Sequence, residues 1–168
     1  MAVAMLVSCG KDDEEMMIWD FSPIEFCIEA TNAAGDNLLD PNSPAYSEAF
    51  VQGTYITFHG KEYRLGEYAE DNIKPATRMF YDTFHGMTLF ESDGKTEARI
   101  GPFLSNEDWT DETIDIHWGD GSSDVITFSS HFYWKKKNEP AWTYQYLFNG
   151  SECTDVAFGK IVHLHVTK

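Results

Sequence analysis

Residues 113–128 read Thr-Ile-Asp-Ile-His-Trp-Gly-Asp-Gly-Ser-Ser-Asp-Val-Ile-Thr-Phe, and this stretch decides the fold class. Ile114, Ile116 and Trp118 alternate with polar residues, which is the two-residue period of a strand with one buried face. The Gly-Asp-Gly-Ser run that follows favours a tight turn, and the β-branched run after it favours a returning strand. The stretch therefore predicts a β-hairpin whose apolar face looks onto a core.

The same pattern recurs along the chain, with short apolar or aromatic runs between Gly, Asn and Asp turns. A second clear hairpin is predicted over residues 54–65, in which His59-Gly60 is the two-residue connection. Further strands are predicted over residues 19–32, 54–58, 61–65, 80–91, 96–100, 131–137, 143–148 and 160–167. Because helical periodicity is nearly absent, we predict an all-β, Ig-like antiparallel β-sandwich.

The N-terminal run Leu6-Val7-Ser8-Cys9-Gly10 predicts a lipoprotein processing site, since a short apolar stretch ends in a small residue and a cysteine. We expect residues 1–9 to be a truncated signal peptide, with Cys9 lipidated, because no basic residue precedes the apolar run. Residues 10–17 are then an acidic spacer and residues 18–168 a single domain. The alternative is a disordered N-terminus with an accidental cysteine.

The order Cys-Gly-Lys-Asp-Asp-Glu-Glu from Cys9 resembles the start of outer-membrane lipoproteins of Bacteroidota-type bacteria. In that group an acidic run after the lipidated cysteine accompanies export to the cell surface. Four later motifs in this order are similar to small Bacteroidota surface lipoproteins without an assigned activity: Asn-Leu-Leu-Asp-Pro (37–41), His-Gly-Lys-Glu-Tyr (59–63), Trp-Gly-Asp-Gly-Ser (118–122) and Leu-Phe-Asn-Gly (147–150). The Trp-Gly-Asp-Gly core also resembles a turn of polycystic-kidney-disease-type modules, which are Ig-like sandwiches. The resemblance implies a lipid-anchored outer-membrane protein, exposed at the cell surface, and no catalytic residue.

The formal net charge of −16 over 168 residues disfavours nucleic acid and anionic lipid headgroups as partners. Neither a Gly-x-Ser-x-Gly nucleophile motif nor a phosphate-cradling glycine loop occurs. We therefore predict a protein without enzymatic activity or cofactor, which meets the membrane through its lipid anchor. It would bind or scaffold an envelope protein or, alternatively, serve as a glycan-binding accessory module of a polysaccharide-uptake system.

Aromatic residues make up 15% of the chain, which is more than a small core needs. Trp109, Trp134 and Trp142 are the candidate residues for binding a glycan or a partner, because aromatic faces contribute strongly to such contacts. The alternative is that each tryptophan is half-buried in a sheet.

Two cysteines and a set of histidine and aspartate residues each allow two interpretations. Cys27 and Cys153 could form a disulfide in an exported protein, or remain separate thiols. His163 and His165 alternate outward on the last strand, and they would form a zinc site if Asp115 and His117 lay on a neighbouring strand. The alternative is a solvated face, and we predict no metal site.

Overall fold

The computed structural model describes residues 21–67, 84–92, 94–137 and 139–168. The predicted signal peptide with Cys9, and the spacer over residues 10–17, lie outside these ranges. The described residues form two β-sheets packed together, which confirms the predicted all-β sandwich.

The described residues contain eleven strands and one short helix. They are β1 (Ile24–Thr31), α1 (Glu48–Gly53), β2 (Tyr55–Phe58), β3 (Lys61–Arg64), β4 (Met87–Ser92), β5 (Lys95–Phe103), β6 (Trp109–His117), β7 (Ser123–Lys136), β8 (Glu139–Phe148), β9 (Ser151–Glu152), β10 (Val156–Ala157) and β11 (Ile161–Thr167). Sheet I has the order β10-β11-β1-β5-β4, and sheet II has the order β3-β2-β6-β7-β8-β9. Both predicted hairpins are present as β2–β3 and β6–β7.

β1 lies inside sheet I, between β5 and β11. It runs antiparallel to β5 but parallel to β11, so that Cys27 lies opposite His163 and Glu29 opposite His165. The other strand pairs of the described residues are antiparallel, so the predicted antiparallel arrangement fails at this one pair. A parallel pair needs a long crossover, and here nearly the whole chain is that connection.

Aromatic side chains fill the space between the two sheets. Phe26 of β1 makes edge-to-face contacts with Phe103 (6.1 Å between ring centroids), Phe128 (5.4 Å) and Tyr146 (5.8 Å). These four rings come from both sheets, and each is at most 2% exposed. Edge-to-face aromatic pairs stabilise by about 0.5–1.5 kcal/mol beyond their buried area, so this cluster helps to hold the two sheets together.

A second tie between the sheets surrounds the Asp124 carboxylate at the start of β7. It accepts hydrogen bonds from the Trp118 indole N–H (2.7 Å), the Asn149 amide (2.8 Å) and the Lys168 ammonium (2.5 Å). Burial by itself would raise the Asp124 pKa, but the hydrogen bonds from these three donors outweigh burial and hold the pKa below its ordinary value of 3.8. The carboxylate thereby joins two turns of sheet II to the residue that follows β11.

The glycine after Trp118 is required by close packing. A Cβ on Gly119 would lie 2.1 Å from the Phe50 carbonyl oxygen, which no side chain could accommodate. The Gly119 N–H also donates to the Thr54 hydroxyl (3.0 Å), and the Trp118 ring stacks on Phe50 (5.8 Å). The Trp-Gly-Asp-Gly motif thus seats α1 against the β6–β7 turn.

We expect Asp124→Asn to lower the free energy of unfolding at pH 7 by about 1–3 kcal/mol, because it removes the buried negative charge that accepts hydrogen bonds from three donors. Since the folded-state pKa is depressed, the carboxylate stabilises the fold above about pH 4, and this contribution is lost as the pH falls through the depressed pKa. Urea unfolding of the wild type and of Asp124→Asn should therefore show a difference in the free energy of unfolding that becomes smaller between about pH 5 and pH 3.

Asp115→Asn is the matched control, because this carboxylate on β6 makes none of these hydrogen bonds. A gap between wild type and Asp124→Asn that is absent at pH 7, or that stays constant into acid, contradicts the assignment.

Candidate functional site

The β7–β8 hairpin extends beyond the body of the sandwich. β6 pairs with β7 only as far as Ser130, whereas β7 and β8 remain paired to Lys136 and Glu139. We call residues 131–136 and 139–144 the arm. The sequence predicted a separate strand at residues 131–137. In the structure these residues belong to β7, which continues without a break from Ser123 to Lys136.

One face of the arm is aromatic. Phe132, Trp134, Trp142 and Tyr144 lie on the face that continues from the core, with Phe132 and Trp142 as a cross-strand pair 5.5 Å apart. Trp134 is 46% exposed and Tyr144 is 50% exposed. Phe21, just before β1, packs edge-on against Phe132 (5.3 Å), so part of this face is covered by the chain itself.

The three predicted tryptophans have different surroundings. Trp109 is half-buried at the core edge, where its indole donates to the Leu104 carbonyl (2.8 Å) and its ring packs on Phe128 (5.9 Å). Trp142 is half-buried as well, with its indole donating to the Ser105 carbonyl (2.6 Å). The structure therefore brings Trp134 and Trp142 together on the arm and leaves Trp109 in the sandwich.

Two residues of the aromatic face were missing from the sequence prediction, Phe132 and Tyr144. The sequence does indicate them. Phe132 lies four residues after Phe128 and Tyr144 two residues before Tyr146, so each shares the inward face of its strand beyond the end of the core. What the pattern does not show is that β6 begins at Trp109, opposite Ser130, so that β7 and β8 continue beyond this point without β6 beside them.

A polar groove of about 700 Å³ lies on the outer face of sheet I. Its floor contains Cys27 of β1, Glu97 of β5 and His163 of β11, whose thiol, carboxylate and imidazole atoms all lie within 4.8 Å of one another. Phe158, which is 92% exposed, stands at the rim. We call this the sheet I groove.

Cys27 faces this groove beside Glu25 and Glu29, as its alternation in β1 predicts, but it is only 2% exposed. Burial, together with the neighbouring Glu97 carboxylate, which accepts a hydrogen bond from the thiol, raises the pKa of the Cys27 thiol to about 12. At neutral pH the side chain is therefore a protonated thiol.

The possible disulfide between Cys27 and Cys153 does not form, and both are free thiols. Cys27 points away from the core, whereas Cys153 packs against the core from the segment between β9 and β10. Cys27 therefore faces the groove and Cys153 faces the core, so the two thiols are directed to different parts of the molecule.

The four-residue zinc site considered from the sequence does not form either. Asp115 and His117 lie on β6 in sheet II, where the His117 ring stacks on Tyr55 (4.5 Å). His165 is engaged by its own neighbours, with Nε2 3.1 Å from the Thr31 hydroxyl and Nδ1 3.5 Å from the Glu29 carboxylate. Sequence reasoning found His163 but missed Glu97 and Cys27 as its neighbours, because strand order is not visible in the pattern.

Comparison of the chain with protein-family models, with curated proteins and with solved structures finds no match. Within the described ranges, none of the helical segments has both the length and the apolar character needed to cross a bilayer.

Proposed function

We propose that this chain is a lipid-anchored outer-membrane protein, exposed at the cell surface, whose β-sandwich binds a partner without catalysing a reaction. The observation that supports binding most directly is the aromatic face of the arm. The anchoring part rests on the Leu6–Gly10 processing pattern and the acidic run behind Cys9.

The arm is suited to binding because it presents apolar rings on a support only two strands wide. An isolated two-stranded hairpin is marginally stable in water, so the exposed halves of Trp134 and Tyr144 gain from any partner that covers them. Trp and Tyr are also the residues that carry much of the binding energy in protein interfaces. A protein of the envelope is the partner class that this surface supports first.

A glycan is the second candidate, and one contact favours it. The Lys160 ammonium lies 4.0 Å from the centre of the Trp142 ring, which belongs to the same face of the arm as the exposed Trp134 and Tyr144. Aromatic faces next to a hydrogen-bond donor suit a sugar ring, whose apolar face stacks while its hydroxyls accept hydrogen bonds.

We expect the double substitution Trp134→Ala, Tyr144→Ala to weaken partner binding by at least ~30-fold, because hot-spot aromatics contribute about 2 kcal/mol or more. The assays are a glycan array, tryptophan fluorescence during polysaccharide titration, and cross-linking to envelope proteins in intact cells. Tyr133→Ala is the matched control, since Tyr133 is 42% exposed on the opposite face of the arm.

Binding in one assay that is lost in the double variant and kept in the control identifies both the surface and the partner class. Equal binding by all three proteins, or turnover of a glycan or peptide library by the purified chain, contradicts the proposal.

The anchor has a separate test. Wild type should fractionate with the outer membrane, label with radioactive palmitate and be cleaved by protease added to intact cells. Cys9→Ala should lose the lipid label and the membrane fractionation, because the acyl chains on that sulfur supply the attachment. Cys153→Ser is the thiol control, and an unlabelled wild-type chain in the cytosol overturns the anchoring.

A further inference from the structure

Three strands that are distant in sequence bring a thiol, a carboxylate and an imidazole to one point of the sheet I groove. Parallel pairing sets Cys27 directly beside His163, and Glu97 on β5 approaches from the other side of β1. The three potential ligand atoms lie within 4.8 Å of one another. This spacing needs only a small inward movement to match the ligand separations around a tetrahedral ion, whose bonds are about 2.0–2.3 Å long.

We infer that Cys27, Glu97 and His163 bind a single divalent metal ion of the zinc class, with the groove leaving a fourth position open to water. Sulfur, nitrogen and oxygen in one set is a borderline-soft combination, which favours Zn²⁺ over Mg²⁺ or Ca²⁺. This inference is independent of the proposed function, because the arm belongs to sheet II.

The neighbours of Glu97 orient it as a ligand. Its Oε1 accepts a hydrogen bond from the Arg99 guanidinium (3.1 Å), which leaves Oε2 for a metal ion. Arg99 is itself fixed, with its guanidinium 3.5 Å from the centre of the Phe90 ring and 3.6 Å from the Glu25 carboxylate. Outer-shell partners of this kind orient metal ligands and strengthen binding.

The two histidines of β11 differ in how readily their rings can bind a metal ion. His165 is held between Thr31 and Glu29. Among the described residues, the His163 ring has no hydrogen-bond partner, and it is exposed at the groove. His163 can therefore turn toward Cys27, whereas His165 would first have to give up its own contacts.

The binding step is a balanced proton-for-metal exchange. Cysteine binds a metal ion as the thiolate, so the Cys27 thiol has to give up its proton when the ion binds. When M²⁺ enters, a metal–sulfur bond forms, the S–H bond breaks and one proton leaves to solvent. No electron is transferred. The acidic residues Glu29, Glu97 and Asp155 line the groove together with the basic Lys95 and Arg99.

Cobalt(II) is the probe, because thiolate bound to Co²⁺ gives a near-ultraviolet charge-transfer band that carboxylate or imidazole ligands do not give. We expect the purified full chain to show this band, to saturate it at one equivalent and to lose it when Zn²⁺ is added in competition. Cys27→Ser should abolish the band, and His163→Asn or Glu97→Gln should weaken Co²⁺ binding by at least ~10-fold.

Cys153→Ser and His165→Asn are the matched controls, since each removes the same chemical group outside the ligand set, and both should keep the band. Circular dichroism checks that each variant folds. His163 is exposed, so His163→Asn tests the site even if Cys27→Ser fails to fold. A wild-type chain without the band, a band that survives Cys27→Ser, or equal loss in the controls overturns the inference.

Discussion

The parallel pairing of β1 with β11 is the constraint on which the rest of the structure depends. β1 is buried on its inner face by Phe26 and Ile28, and it has hydrogen-bonded neighbours on both sides. The Lys168 N–H continues the ladder by donating to the Thr31 carbonyl (2.8 Å), while the ammonium of the same residue reaches Asp124 in sheet II. The last strand therefore closes sheet I and also ties it to the other sheet.

The two sheets carry two surfaces with different chemistry. The outer face of sheet I receives its ionisable residues from three strands, and because those strands are rigid, Cys27, Glu97 and His163 stay close together. Sheet II is longer than sheet I along β7 and β8, so its inner face continues as the aromatic arm. One surface is polar and suited to an ion, and the other is apolar and suited to a large partner.

The hairpins could be predicted from the sequence because the residues that specify their strands and turns are neighbours in the chain. Alternation around His59-Gly60 and around Trp118 specified both the strands and the turns of the two hairpins. The alternation of residues along β1 and β11 likewise placed Cys27 and His163 on outward faces. The parallel register of β1 could not be predicted, since no local pattern states which strand will lie beside it. For the same reason the sequence could not state whether Asp115 lies beside the last strand, and the structure places it in the other sheet.

How deeply a side chain is buried was harder to predict than which face of its strand it lies on. Cys27 alternates with core residues and therefore faces outward, yet its outward face is covered by side chains from both adjacent strands. Trp109 and Trp142 adjoin polar loops in sequence, but their indole N–H groups satisfy loop carbonyls and draw the rings inward. These outcomes depend on long-range neighbours, which a single sequence does not reveal.

A cross-strand disulfide tests the central pairing most directly. His163→Cys places a second thiol opposite Cys27, and neighbouring strands about 4.8 Å apart allow a disulfide between aligned residues. In a Cys153→Ser background, mild oxidation followed by peptide mapping should link residues 27 and 163. His165→Cys, two residues further along β11, should leave Cys27 unlinked. A bridge from Cys27 to residue 165, or no bridge from either position, would contradict the register and with it the arrangement of sheet I.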